Sequence, residues 1–205
     1  SPTNMRFPFL AAVAATLCLS LSATAQKVQV FGGNGERATS SQVLFGEGVM
    51  AGMAITHGQP LWQDSHNAMM DSLKGKLLRL GKDWWTTFNT SVDVEIGGTR
   101  IPAGAYVVGL MCDKDGNFSL ALHDQTKAMK AGATPWPIDD KGNMNWKPEI
   151  LAPLTLHKDK AAESVAKMTM TLKANAEDLA NGSFSIAWGK HVLDAKLAVL
   201  VPAKK

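Results

Sequence analysis

Apolar and polar positions alternate with period two through most of the chain beyond Val92, the pattern of strands whose two faces meet different surroundings. Val92, Val94 and Ile96 alternate with Asp93 and Glu95, and the run stops at Gly97-Gly98, a pair that accepts the positive φ of a tight hairpin turn. A second run goes from Ala105 to Cys112, and a turn over residues 113–117 leads into Phe118, Leu120 and Leu122 on one face. Farther on, Met168, Met170 and Leu172 alternate with Thr169, Thr171 and Lys173, and Phe184, Ile186 and Trp188 alternate with Ser183, Ser185 and Ala187. After a turn at Gly189-Lys190, Leu193, Ala195, Leu197, Val199 and Val201 share one side. With further strands near residues 48–57 and 151–157, the reading is an all-β fold: a two-sheet antiparallel β-sandwich of about eight to nine strands.

Two stretches break the alternation. Met69, Leu73, Leu77 and Leu80 recur at helical spacing with Gly75 interrupting them, which predicts one short helix between Leu61 and Leu80. Residues 134–148 hold Pro135, Pro137, Gly142 and Pro148 with Trp136 and Trp146, the composition of a long ordered surface loop. There is no internal repeat.

The beginning of the chain is of another kind. Met5-Arg6 is followed by a charge-free run from Phe7 to Gln26, apolar from Leu10 to Leu21 and ending in Ala23-Thr24-Ala25. This is the pattern of a signal peptide cleaved after Ala25, and its apolar part is shorter than the roughly 20 residues of a bilayer span. Residues before Met5 read as a start-site artefact. The expectation is an exported protein, periplasmic or extracellular, with no integral membrane span in the mature chain. Its organisation is a leader at 1–25, an N-terminal extension at 26–40 and one sandwich domain at 41–202. Loss of the leader leaves Cys112 as the lone cysteine, without an internal disulfide and expected to be buried. Charge is nearly balanced, 21 basic against 18 acidic residues spread along the chain, so no basic stripe suits a phosphate backbone and nucleic acid is not an expected partner.

Four segments resemble a family of exported bacterial domains, the "domain of unknown function 2911". They are Thr56-His57-Gly58-Gln59-Pro60; Lys76-Leu77-Leu78-Arg79-Leu80-Gly81-Lys82 with Trp85-Thr86-Thr87; Asp93-Val94-Glu95-Ile96-Gly97-Gly98 with Ile101-Pro102-Ala103-Gly104-Ala105-Tyr106; and Ile186-Ala187-Trp188-Gly189. The third is the most specific, and the likeness runs from about Ser40 to Pro202. The resemblance implies an exported β-sandwich and no biochemical role. The chain departs from the family pattern at His57, where the family has tyrosine, and at Gln59, where it has arginine. An anionic ligand held by that arginine in relatives would lose its partner here.

Candidate chemistry is sparse. Five histidines and ten methionines are a copper-like complement, yet no His-x-His or Cys-x-x-Cys spacing occurs, so no metal site and no cofactor is assigned. Asp113-Lys114-Asp115-Gly116-Asn117 and Asp139-Asp140-Lys141-Gly142-Asn143 place oxygens at alternate positions, but their glycines fall where a turn needs them and a calcium loop does not. No Gly-x-Ser-x-Gly elbow is present, Ser65 and His66 are adjacent, and nothing singles out a carboxylate pair among Asp64, Asp71, Asp83 and Asp93. Six tryptophans against one tyrosine weight the chain toward aromatic contacts, either a ligand platform or rings that plug the open end of the sandwich. If consecutive Trp84 and Trp85 lie on a strand, they point to opposite faces. The expected site joins His57, Gln59, Trp62, Arg79, Lys82 and Trp85. The expected role is a non-enzymatic binding or accessory domain for a small molecule, glycan or protein. Its rivals are a hydrolase using a carboxylate or His57 in the same pocket, and a metal-binding or structural subunit.

Overall fold

The computed structural model describes residues 37–46, 49–157, 161 and 163–201. The leader expected at 1–25 and most of the N-terminal extension lie outside these residues. Strands dominate: β1 (Arg37–Gly46), β2 (Val49–Gly58), β3 (Lys76–Arg79), β4 (Thr86–Thr90), β5 (Asp93–Ile96), β6 (Thr99–Ile101), β7 (Gly104–Cys112), β8 (Phe118–Asp124), β9 (Ile150–His157), β10 (Val165–Lys173), β11 (Gly182–Gly189) and β12 (His191–Leu200). The helices are α1 (His66–Met69), continued by a 3-10 turn (Met70–Leu73), and α2 (Gln125–Lys130). Among the described residues no helix is long and apolar enough to cross a membrane.

The fold is all-β and antiparallel, as the alternation predicts, and its two layers are continuous with one another. The order β1-β2-β4-β7-β8-β9-β12-β11-β10 runs through β9, whose first half pairs β8 (Leu154 with Phe118) and whose end pairs β12 (His157 with Val192). The opposite edges, β1 and β10, meet through side chains: Ser40 Oγ accepts from Leu172 N at 2.9 Å and Gln42 Oε1 from Ala174 N at 3.1 Å. The sandwich is therefore a flattened, nearly closed barrel.

Its interior holds the inward series Met53 and Ile55 of β2, Phe118, Leu120 and Leu122 of β8, Met168, Met170 and Leu172 of β10, and Phe184 and Ile186 of β11, all buried. Cys112 joins them as a free, buried thiol whose pKa burial raises. Strand β7 is apolar almost throughout because both its faces are covered. Tyr106 and Val108 face the interior, while Val107 belongs to a separate outer cluster with Trp85, Ala121, Ala128 and Trp146.

That outer cluster corrects one expectation about the tryptophans. The 134–148 loop does not send Trp146 into the open end of the sandwich. It lays Trp146 on the outer face of the sheet against Trp85, ring centroids 5.6 Å apart. Helix α2 completes this layer: Asp124 caps it by accepting from Lys127 N at 2.8 Å, and Lys127 pairs with Glu149 at 2.7 Å. Trp84 and Trp85 do point to opposite sides, although they precede β4. Trp84 is half exposed and meets Trp136 edge-on, ring centroids 5.6 Å apart.

The predicted helix between Leu61 and Leu80 is much shorter than its spacing suggested. Gly75 (φ 74°) ends it and Lys76–Arg79 turn into strand β3, paired to the end of β7. Gly97 and Gly98 both take positive φ in the β5–β6 turn, as expected. Both aspartate-led loops are turns: Asp113 Oδ1 accepts from the amides of Asp115 and Asn117, and Asp139 Oδ1 does the same for Lys141 and Asn143.

Candidate functional site

Between the two layers, at the end bounded by β3 and residues 60–73, the interior opens into a cleft of about 630 Å³. That is within the size range of small-molecule sites. Its floor is the core itself: Leu110, Phe118, Leu156, Ile186 and Leu193. One wall is the segment from Pro60 to Leu73, which supplies Trp62, His66, Met69 and Met70. The lip is Arg79–Lys82, and Pro137 and Gly142 of the long loop also reach it.

The wall is held by backbone. Trp62 N donates to Ala166 O at 2.7 Å and Met168 N to Pro60 O at 3.1 Å, so residues 60–62 run beside the start of β10. Trp188 Nε1 donates to the same Pro60 carbonyl at 3.0 Å. Trp62 stands edge-on to Trp188, centroids 5.0 Å apart at 89°, and its ring lies flat on Gly189, where an added Cβ would sit 2.4 Å from the indole. Gly189 has φ 59°, so both space and backbone call for glycine there. His66 packs tilted on Trp188 at 4.5 Å and His191 edge-on to Trp62 at 5.4 Å. These four rings touch one another, leaving the void on the leucine and methionine side. His191 Nε2 lies 3.3 Å from Asn67 Oδ1, while its buried Nδ1 has no partner among the described residues.

Of the six residues singled out from sequence, the fold brings Trp62, Arg79 and Lys82 together on the cleft. His57 and Gln59 lie just behind it. His57 occupies the inward position after Met53 and Ile55, is buried, and sets Nε2 3.2 Å from Met168 O; Gln59 Nε2 donates to that carbonyl at 3.3 Å. Both tie β2 to the opposite layer. Burial lowers the His57 pKa, against the opposing pull of the Met168 carbonyl and with a smaller push from the charge of Arg37. Trp85 is turned away from the cleft into the outer cluster, its carbonyl accepting from Arg37 Nη2 at 2.7 Å.

Sequence reasoning missed Trp188, His66, His191 and the methionines of the wall. The signal for the wall was the helical spacing that begins at Met69, next to His66 and Met70 in the same segment, whereas Trp188 and His191 come from strands distant in sequence. No three His, Cys, Asp or Glu side chains converge among the described residues. The lip is positioned by close approach: a Cβ on Gly58 would lie 2.1 Å from Lys82 O.

Residues 49–197 match the model of the family described as "Protein of unknown function (DUF2911)". The chain belongs to this family. No curated protein and no solved structure matches it. In this DUF2911 protein the most specific resembling segment, 93–106, lies outside the cleft and has a structural role. Asp93 accepts from Ala103 N at 2.9 Å and pairs with Arg100, contacts that lower its pKa, while Tyr106 Oη donates to Pro102 O at 2.8 Å. The segments around Gln59, Arg79 and Trp188, by contrast, build the cleft.

Proposed function

We propose that this DUF2911 protein is a non-enzymatic binding domain that takes one small, largely apolar molecule into the cleft between its layers. The observation that carries the reading is a 630 Å³ void opening directly onto core leucines, phenylalanine and isoleucine, a surface that burial of a ligand would stabilise. Met69, Met70 and Met168 add a pliable wall. A glycan platform has less support, because the exposed or half-buried tryptophan pairs meet edge-on: Trp62 with Trp188 at 89° and Trp84 with Trp136 at 66°. The hydrolase alternative also has less support, since neither His57 nor Asp83 lines the cleft and His57 Nε2 is engaged by a main-chain carbonyl. The leader-like run at 7–26 supports export, which would place the binding step in the periplasm or outside the cell.

Titration with the neutral fluorophore N-phenyl-1-naphthylamine tests the reading. Saturable, blue-shifted emission is expected, and Leu156→Phe or Leu78→Phe, which fill the void, should weaken it while thermal melts remain cooperative. A linear, non-saturating response in the parent protein would remove the basis for the proposal.

A further inference from the structure

The charges that line the cleft are one-sided. Its lining holds Arg79 and Lys82 and no aspartate or glutamate. Arg79 is exposed at the end of β3, and its guanidinium makes no hydrogen bond or ion pair with any described residue. Lys82 Nζ is partly answered by Asp83 Oδ2 at 3.5 Å, and Asp83 does not line the cleft. A free guanidinium thus stands at the mouth of an apolar void with a second cation three residues on.

We infer that the ligand is an anionic amphiphile: a single aliphatic chain lying in the cleft, with a carboxylate or phosphate headgroup on Arg79 and Lys82. The inference rests on the cleft being the ligand site. Its warrant is charge complementarity. The planar fork of a guanidinium matches the paired oxygens of either headgroup, and Lys82 adds a point charge. The void suits the other end of such a molecule. Leu78, Leu110 and Leu156 line it without presenting a hydrogen-bonding side chain, and Met69 and Met70 reshape around a flexible chain more readily than a rigid wall would. A neutral chain would leave Arg79 unanswered, and a cationic one would be repelled at the lip.

Displacement of N-phenyl-1-naphthylamine by four ligands of one chain length tests this: dodecanoate, dodecyl phosphate, dodecanol and dodecyltrimethylammonium, each below its micellar concentration. One or both anions should displace the probe at concentrations about tenfold below dodecanol, with the ammonium weakest, and added salt should shrink the gap. The better of the two anions identifies the headgroup. Arg79→Gln should bring the anions close to dodecanol without changing dodecanol itself, and Lys82→Gln should have a smaller effect in the same direction. Equal displacement by dodecanol, or an anion preference that survives both substitutions, would overturn the headgroup assignment while leaving the cleft a binding site. Failure of the probe to bind, seen before any competitor is added, would instead overturn the cleft reading on which it stands.

Discussion

Two tryptophan pairs on this protein have nearly the same internal geometry and opposite surroundings. Trp85 and Trp146 meet at 5.6 Å and 68° on the outer face of the sheet, both buried in one cluster with Val107, Ala121 and Ala128. Trp62 and Trp188 meet at 5.0 Å and 89° at the mouth of the cleft, covered on one side by Gly189 and the histidines and open on the other. What separates an anchor from a site is therefore the packing around the rings and not the pair itself. The outer pair fixes the 134–148 loop to the scaffold. The inner pair frames a void that the core does not fill.

The sharpest way to break this comparison is to disturb each pair in turn. Trp146→Ala should cost about 3–5 kcal/mol in urea unfolding, the range for a buried large aromatic. A cost below about 1 kcal/mol would mean the outer layer is not a packed core. Gly189→Ala comes next, at about 1–3 kcal/mol, because it strains a positive φ and drives a methyl into the Trp62 ring. Unlike Trp146→Ala, it should also weaken N-phenyl-1-naphthylamine binding, and unchanged probe affinity would separate Trp62 from the cleft.

His57 provides a third contrast, read by pH. Its folded pKa lies below the ordinary 6.5, so from about pH 6.5 downward the unfolded chain takes up a proton that the folded one refuses. Its contribution to stability is complete above that point and lost as pH falls, and His57→Gln should flatten the slope of the urea midpoint between neutral and mildly acidic pH. An identical slope in both proteins would assign the acid sensitivity elsewhere. The smallest effect is expected at Trp136→Ala, within about 1 kcal/mol, since that ring is 43% exposed and its aromatic partner Trp84 is itself half exposed. A larger loss would show the exposed pair to be a second anchor.

The legible part of the fold was the part whose inward positions are apolar. Met168, Met170 and Leu172 announce β10, and Phe118, Leu120 and Leu122 announce β8. Strand β4 escaped notice because its inward series is Thr86, Phe88, Thr90. The two hydroxyls are buried by donating to Leu80 O and Val92 O, both at 2.6 Å, which polarity alone does not suggest. Strand β1 reads backwards for a related reason: Ser40 and Gln42 point inward, while Val43 and Phe45 are more than four-fifths exposed. In the site, Arg79 and Lys82 were visible through the family-like segment that carries them. Trp188 also lies in a family-like segment, but its place beside Trp62, like that of His191, was not legible because only the fold brings the β11–β12 hairpin to residues 60–62.

The inverted polarity of β1 has a consequence for how the protein behaves among other copies of itself. An open sheet edge is a row of main-chain donors and acceptors on which a foreign strand can grow, and proteins with such edges are prone to join through them. Here the amides of Leu172 and Ala174 are already taken by a serine hydroxyl and a glutamine carbonyl from the opposite margin. A serine and a glutamine side chain of β1 thus act as a clasp that occupies two amides at the β10 margin, where a foreign strand would otherwise add, without a covalent closure.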